Sequence, residues 1–281
     1  MSWHTQWVTI DKTRLRTAST GHGPPLLLLM GIGGNLDMWG PLAAQLPGRR
    51  LIAFDAPGTG RSSIGRLRRM TGLADLTAEL LDALGLGTVD VLGYSFGGAL
   101  AQQLAHRHPE RVRRLVLGAT MCGLGGVPAR PDVYLHMAHP FRYHSGRYLR
   151  WVAPRIYGGR ARRAGGAGSE AMMARLAHPP SMLGYVSQLA AISGWSSLPW
   201  LPSLTMPVLI LAGDDDPIVP LINARILNWR IHDGRLHVVK GGGHLFLLDQ
   251  PEDVIDVIET FLAQGAGVGS SGLASAAAIA R

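Results

Sequence analysis

Gly93-Tyr94-Ser95-Phe96-Gly97 sets a serine between two glycines, the G-x-S-x-G spacing of a sharp strand-to-helix turn that lifts a hydroxyl above the end of a sheet. With 37 glycines in the chain the bare string can arise by chance, so its surroundings decide. Val89 to Leu92 reads as a strand running into the turn, and Gly97-Gly98-Ala99-Leu100-Ala101 opens a helix of small residues that can approach that strand closely. A serine hydroxyl is a poor nucleophile at neutral pH and needs a base to take its proton. Of the eleven histidines, most fall in strands, turns, helix ends or the region after residue 121. His244 differs, standing in Gly241-Gly242-Gly243-His244-Leu245-Phe246 between the last strand and a helix entered at Pro251, where a loop overhangs the sheet end. The glycines are expected to let its ring be placed freely.

A third group must accept a hydrogen bond from the other imidazole nitrogen and stabilise the imidazolium. No acid follows Leu115 to Leu117 until Asp132, whereas Val208 to Ala212 runs directly into Gly213-Asp214-Asp215-Asp216-Pro217. Asp216 has the G-x-x-D placement, which leaves Asp214 and Asp215 as turn and helix-cap residues. Three adjacent side chains on a tight turn point apart, which argues against a metal site. An oxyanion formed at Ser95 would need two backbone donors: the N–H of Phe96 and, from the loop Gly31-Ile32-Gly33-Gly34-Asn35, that of Ile32. That loop lacks the G-x-G-x-x-G spacing of a dinucleotide site, and Asp55 lies in a turn sequence where a ribose-binding acid would be expected. The chemistry needs no cofactor and no metal.

The elements that must position these groups alternate. Trp3 to Arg16 reads as one strand. Leu26 to Met30, Leu51 to Phe54, Val89 to Leu92, Leu115 to Leu117, Val208 to Ala212 and Leu236 to Val239 follow as short apolar runs suited to buried parallel strands. Helix-length segments lie between them at Met38 to Leu46, Gly72 to Leu84, Phe96 to His106, Leu221 to Trp229 and Glu252 to Leu262. The class is therefore α/β with a mostly parallel, doubly wound sheet. The expected division is a core over 1–120 and 207–264, an inserted helical cap over 121–206, and a disordered Ala/Gly/Ser tail over 265–281.

The formal net charge is +8, with only Lys12 and Lys240 as lysines among 27 basic residues. Nine arginines against Asp132 and Glu170 concentrate the charge between Met121 and Trp200. No zinc-finger, RRM-like or helix-turn-helix signature accompanies them, so no nucleic-acid partner is expected. Neither a spanning helix nor a basic start followed by an apolar block is present, and Cys122 is the single cysteine. Membrane insertion, secretion and disulfides are not expected, and a reducing cytoplasm fits.

The order Ser95, Asp216, His244 is that of the α/β-hydrolase superfamily. Longer strings resemble the intracellular depolymerases of medium-chain-length poly(3-hydroxyalkanoate): Met30 to Leu36, Gly97 to Gln103, Ile156-Tyr157-Gly158-Gly159, Ala212 to Pro217 continuing through Pro220 to Asn223, and Gly243 to Leu247. The resemblance implies an α/β-hydrolase fold with a cap, nucleophile Ser95, acid Asp216 and base His244. It also implies ester cleavage in a storage polyester and a cytoplasmic, granule-associated enzyme. The chain departs from the family at Phe96, where Trp is common, and at Tyr94, where Val is common; both positions are expected to border the acyl pocket. A carboxylesterase or lipase acting on small or medium-chain esters, or a cofactor-free haloperoxidase-type activity, would use the same triad; a haloalkane dehalogenase would need Asp in place of Ser95. Within the cap, apolar residues are expected to grip acyl chains, and the arginines Arg160, Arg162 and Arg163 to meet acidic groups on a granule coat.

Overall fold

The computed structural model describes residues 2–138, 141–165 and 170–264, so the expected tail at 265–281 lies outside the described residues. Eight strands form one sheet: β1 His4–Ile10, β2 Thr13–Thr20, β3 Pro25–Leu29, β4 Arg50–Phe54, β5 Val89–Tyr94, β6 Val112–Gly118, β7 Val208–Gly213 and β8 Gly234–Val239. Their order is β1-β2-β4-β3-β5-β6-β7-β8. Pairing is antiparallel from β1 through β2 to β4 and parallel from β4 to β8.

The solid apolar runs follow from burial on both faces. Side chains alternate along a strand, so Leu26 and Leu28 of β3 join one core layer and Leu27 and Leu29 the other. The first layer takes in Trp39, Leu42 and the helices Phe246–Asp249 and Ile255–Ala263; the second takes in Met70–Ala83, Phe96–Arg107 and Ile222–Arg230. Helices on both faces make the doubly wound arrangement expected of this pattern.

Two expected elements are corrected. Trp3 to Arg16 is a hairpin, because Asp11 at φ 43° and Lys12 at φ 62° form a left-handed two-residue turn. Such turns usually carry Asn or Gly, so Asp-Lys gave no turn signal. Met38 to Leu46 is divided into a 3₁₀ turn at Leu36–Trp39 and a short helix at Gly40–Ala44, where Pro41 cannot donate to a continuing helix.

Between β6 and β7 the described residues contain helices and no strand: Pro131–Ala138, Phe141–His144, Gly146–Tyr157, Gly159–Arg163, Glu170–Ala177 and Met182–Ile192. Local signals start two of them, since Ser145 accepts a hydrogen bond from Tyr148 N and Ser181 from Gly184 N. Among the described residues no helix is long and apolar enough to cross a membrane.

Candidate active site

β5 ends at Tyr94, and Ser95 turns the chain into the next helix with φ 55° and ψ −118°. A non-glycine residue holds a positive φ only under constraint, and here the constraint is visible. Ser95 N donates to Gly118 O at 2.8 Å, while Ser95 O accepts from Gly98 N at 2.9 Å and from the Thr120 hydroxyl at 2.8 Å. The flanking glycines serve close approach. A Cβ on Gly93 would lie 2.6 Å from the Cβ of Ala101, and one on Gly97 would lie 1.9 Å from the carbonyl oxygen of Leu29.

His244 Nε2 lies 3.1 Å from Ser95 Oγ, and its Nδ1 lies 2.8 Å from Asp216 Oδ2. A carboxylate only accepts, so Nδ1 carries the proton and Nε2 is the acceptor for the serine hydroxyl. The other carboxylate oxygen of Asp216 accepts from Ile218 N at 2.8 Å and Val219 N at 2.9 Å. Asp216 and His244 are both buried. The arrangement can deprotonate a serine during attack and hold the resulting imidazolium beside a fixed negative charge.

The acidic triplet separates as expected of a tight turn. Asp214 accepts from Gly241 N at 2.6 Å. Asp215 caps a helix across the chain, taking Gly159 N at 2.7 Å on one oxygen and Arg162 at 2.6 Å on the other.

For an oxyanion, Phe96 N–H stands at the N-terminus of the helix after Ser95. The Gly31 loop approaches closely, since a Cβ on Gly31 would lie 3.3 Å from Ser95 Cβ. Neither Phe96 N–H nor Ile32 N–H donates to an acceptor among the described residues, which leaves both for a ligand.

The structure adds detail to three expectations. The triple glycine provides close packing: a Cβ on Gly243 would lie 2.2 Å from Tyr157 O, and that carbonyl accepts from His244 N at 2.7 Å. Tyr94 lies in the core. It is buried against the His244 ring, with centroids 5.3 Å apart, and donates its hydroxyl to His244 O at 3.0 Å. Burial pushes its pKa well above the usual phenol value. Finally, Arg160, Arg162 and Arg163 are bonded within the chain, to Asp249 O, to Asp215, and to Gly241 O.

Sequence reasoning missed a polar cluster within the helical segment between β6 and β7, the insert. Arg142 and Arg175 are 1% and 4% exposed and form no ion pair among the described residues; tyrosine hydroxyls accept from their terminal nitrogens, while the Nε of each is buried without a partner. Arg142 donates to Tyr143, to Tyr185 at 3.0 Å and to Tyr157 at 3.5 Å, and Arg175 donates to Tyr157. Burial opposes the charge of Arg142, but the surrounding phenols outweigh it and leave its pKa above the usual value. Burial raises Tyr157, and the two guanidiniums more than reverse this. No local signal marks it, since Arg142 and Arg175 stand among many arginines and a partner such as Tyr185 lies 43 residues from Arg142.

A sheet of this order, with a serine turn after β5, an acid after β7 and a histidine after β8, matches what comparison finds. The family model described as alpha/beta hydrolase fold matches residues 24–251. A poly(3-hydroxyalkanoate) depolymerase from Ectopseudomonas oleovorans is 46% identical over 92% of both chains. A pimeloyl-[acyl-carrier protein] methyl ester esterase from Aromatoleum aromaticum is 32% identical over 84% of this chain and 97% of its own. An alpha/beta hydrolase fold protein from Chitinophaga pinensis superposes with TM-score 0.77 at 25% identity, covering 94% of this chain and 98% of its own. With its family matched across most of its length, and its sheet and turns in the corresponding order, the chain belongs to the alpha/beta hydrolase fold family.

Proposed function

We propose that the chain is a serine hydrolase that cleaves the ester bonds of poly(3-hydroxyalkanoate) and releases 3-hydroxyalkanoic acids through an acyl-enzyme on Ser95. The observation that carries the reaction is the hydrogen-bonded line Asp216–His244–Ser95. Ser95 Oγ attacks the ester carbonyl as its proton passes to His244 Nε2, and the carbonyl oxygen takes up negative charge between Ile32 N–H and Phe96 N–H. The imidazolium, held by Asp216, returns the proton to the departing alkoxide, leaving the acyl group on Ser95. Water, deprotonated by His244, then attacks that acyl group; His244 protonates Ser95 and the acid departs.

Similarity to the depolymerase supports the polymer as substrate. So does the surface of the insert: among the described residues, eleven of the sixteen exposed large apolar side chains lie between residues 121 and 206, including Leu124, Leu135, Trp151 and Leu183. Apolar exposure on this scale suits contact with a hydrophobic polyester, and supports a reading in which the enzyme associates with storage granules in the cytoplasm. The similarity to a methyl ester esterase favours a second reading, hydrolysis of small soluble esters.

Purified protein incubated with medium-chain and short-chain polyester granules, and separately with soluble p-nitrophenyl esters, separates the two. Release of 3-hydroxyalkanoic acids from medium-chain granules is the expected result. Cleavage confined to soluble esters overturns the polymer assignment and leaves the esterase.

A further inference from the structure

We infer that the insert completes the catalytic site, with Tyr143 and Gln188 acting as positioning residues that clamp the Ile32–Gly33 peptide and so orient the Ile32 N–H toward the oxyanion. The inference rests on the reading of Ser95 as nucleophile and Ile32 as an oxyanion donor.

The two ends of one peptide plane are held by two side chains from the insert. The Tyr143 hydroxyl donates to Ile32 O at 3.3 Å, and the Gln188 side-chain oxygen accepts from Gly33 N at 2.7 Å. Ile32 C=O and Gly33 N–H belong to the same rigid amide, so fixing both removes its rotation. That amide adjoins the one bearing Ile32 N–H across the Ile32 Cα, so the clamp restrains ψ of Ile32 and with it the donor direction.

The hydrogen directions are forced. A guanidinium has donors only, so Arg142 takes a lone pair of the Tyr143 oxygen and leaves its proton for Ile32 O. The same logic turns Tyr185, which accepts from Arg142, outward to Met137 O at 3.0 Å. Gly33 permits the approach: at φ 64° it adopts a left-handed conformation, and a Cβ there would lie 2.6 Å from the Tyr143 oxygen.

The helix carrying Gln188 is itself seated on the core. Ser181 N donates to Gly58 O at 3.1 Å, and a Cβ on Gly184 would lie 2.0 Å from Gly58 O. Tyr185 and Gln188 lie on its buried face, while Met182, Leu183, Val186 and Leu189 lie exposed on the other. One helix thus offers an apolar stripe outward and an oxyanion-loop ligand inward.

Tyr143→Phe and Gln188→Leu test the clamp, read as kcat and KM on a p-nitrophenyl ester together with inhibition by a boronic acid that adds to the serine. Each variant is expected to lower kcat about tenfold with KM nearly unchanged, boronate affinity falling in parallel. The double variant should lose less than the product of the two, because both bonds hold one plane. Gln188→Glu, which keeps an acceptor toward Gly33, should retain more kcat than Gln188→Leu. Trp195→Phe removes an insert-to-core hydrogen bond to Gln103 at the far side, of 2.7 Å, and is the control for general loosening. Single variants with kcat and boronate affinity within about twofold of wild type overturn the clamp, as does an equal loss of kcat in Trp195→Phe. Ser95→Ala, assayed alongside, keeps the two questions apart: its retention of activity sinks the nucleophile, while an inactive Ser95→Ala beside fully active Tyr143 and Gln188 variants sinks the clamp alone.

Discussion

Ser95 and the Gly31 loop meet at one point, but different forces hold them. At the serine turn the backbone is fixed by its own hydrogen bonds and by excluded volume: Gly93 and Gly97 allow helix and strand to approach until no Cβ fits. At the loop it is fixed by side-chain polarity, through Tyr143 and Gln188 reaching in from the insert over buried guanidiniums. The difference teaches where each region should fail. The core should tolerate little added volume, whereas the insert should be sensitive to lost donors and acceptors in catalysis rather than in stability. A buried arginine whose partners are phenols has already met a desolvation penalty of several kcal/mol, so its value lies in the directions it imposes.

The largest expected effects test the core's chemistry. Ser95→Ala should lower kcat by on the order of 10⁶, the effect seen when a serine protease loses its nucleophile. Retention of more than a few per cent of turnover in protein free of contaminating esterase would remove Ser95 from its role. Asp216→Asn should cost on the order of 10⁴, because the amide can no longer hold the productive tautomer of His244. Asp214→Asn and Asp215→Asn should stay within about tenfold of wild type, since their partners are Gly241 N, Gly159 N and Arg162. A crippling Asp215→Asn with Asp216→Asn still active would show that the acid has been misassigned.

Stability sharpens the contrast between the regions. Gly97→Ala forces a Cβ to 1.9 Å from a backbone oxygen and should lower the unfolding free energy by about 3 kcal/mol. Arg142→Met removes a buried charge while keeping most of its volume, and should change stability by less than about 2 kcal/mol. Urea denaturation of both variants measures this difference. If Arg142→Met proves the more destabilising, the insert's arginine is a source of stability and the comparison is reversed.

The same contrast explains what was legible in the sequence. Strands buried on both faces appear as unbroken apolar runs, and a serine turn, an acid and a histidine each follow such a run directly. Ser95, Asp216 and His244 could therefore be named from local context, and the structure brings them within hydrogen-bond distance. Gln188 and Tyr143 carry no local signal: they sit in helices like many others, and their partners are more than a hundred residues away. The place of Tyr94 carries no local signal either, as its hydroxyl reaches beneath the loop that carries His244, 150 residues on.

The smallest expected effect concerns charge on the insert. Reversing Arg160, Arg162 and Arg163 would confound two causes, because Arg162 holds Asp215 and Arg163 holds Gly241 O, both beside loops that carry the acid and the histidine. Such a triple variant should lose hydrolysis of a soluble ester as well as any granule contact. Arg147 and Arg150 are exposed on the helix Gly146–Tyr157, and among the described residues neither forms an ion pair. The variant carrying Arg147→Glu and Arg150→Glu therefore isolates the electrostatic contribution. Exposed pairs are weak, so sedimentation with granules at low salt should show binding reduced by no more than about fivefold. The reduction should vanish at about 1 M salt, where the screening length falls to ~3 Å. Turnover of a p-nitrophenyl ester should stay at the wild-type rate. Unchanged granule binding at low salt would mean that the exposed apolar surface carries the contact alone, and that these arginines serve solubility.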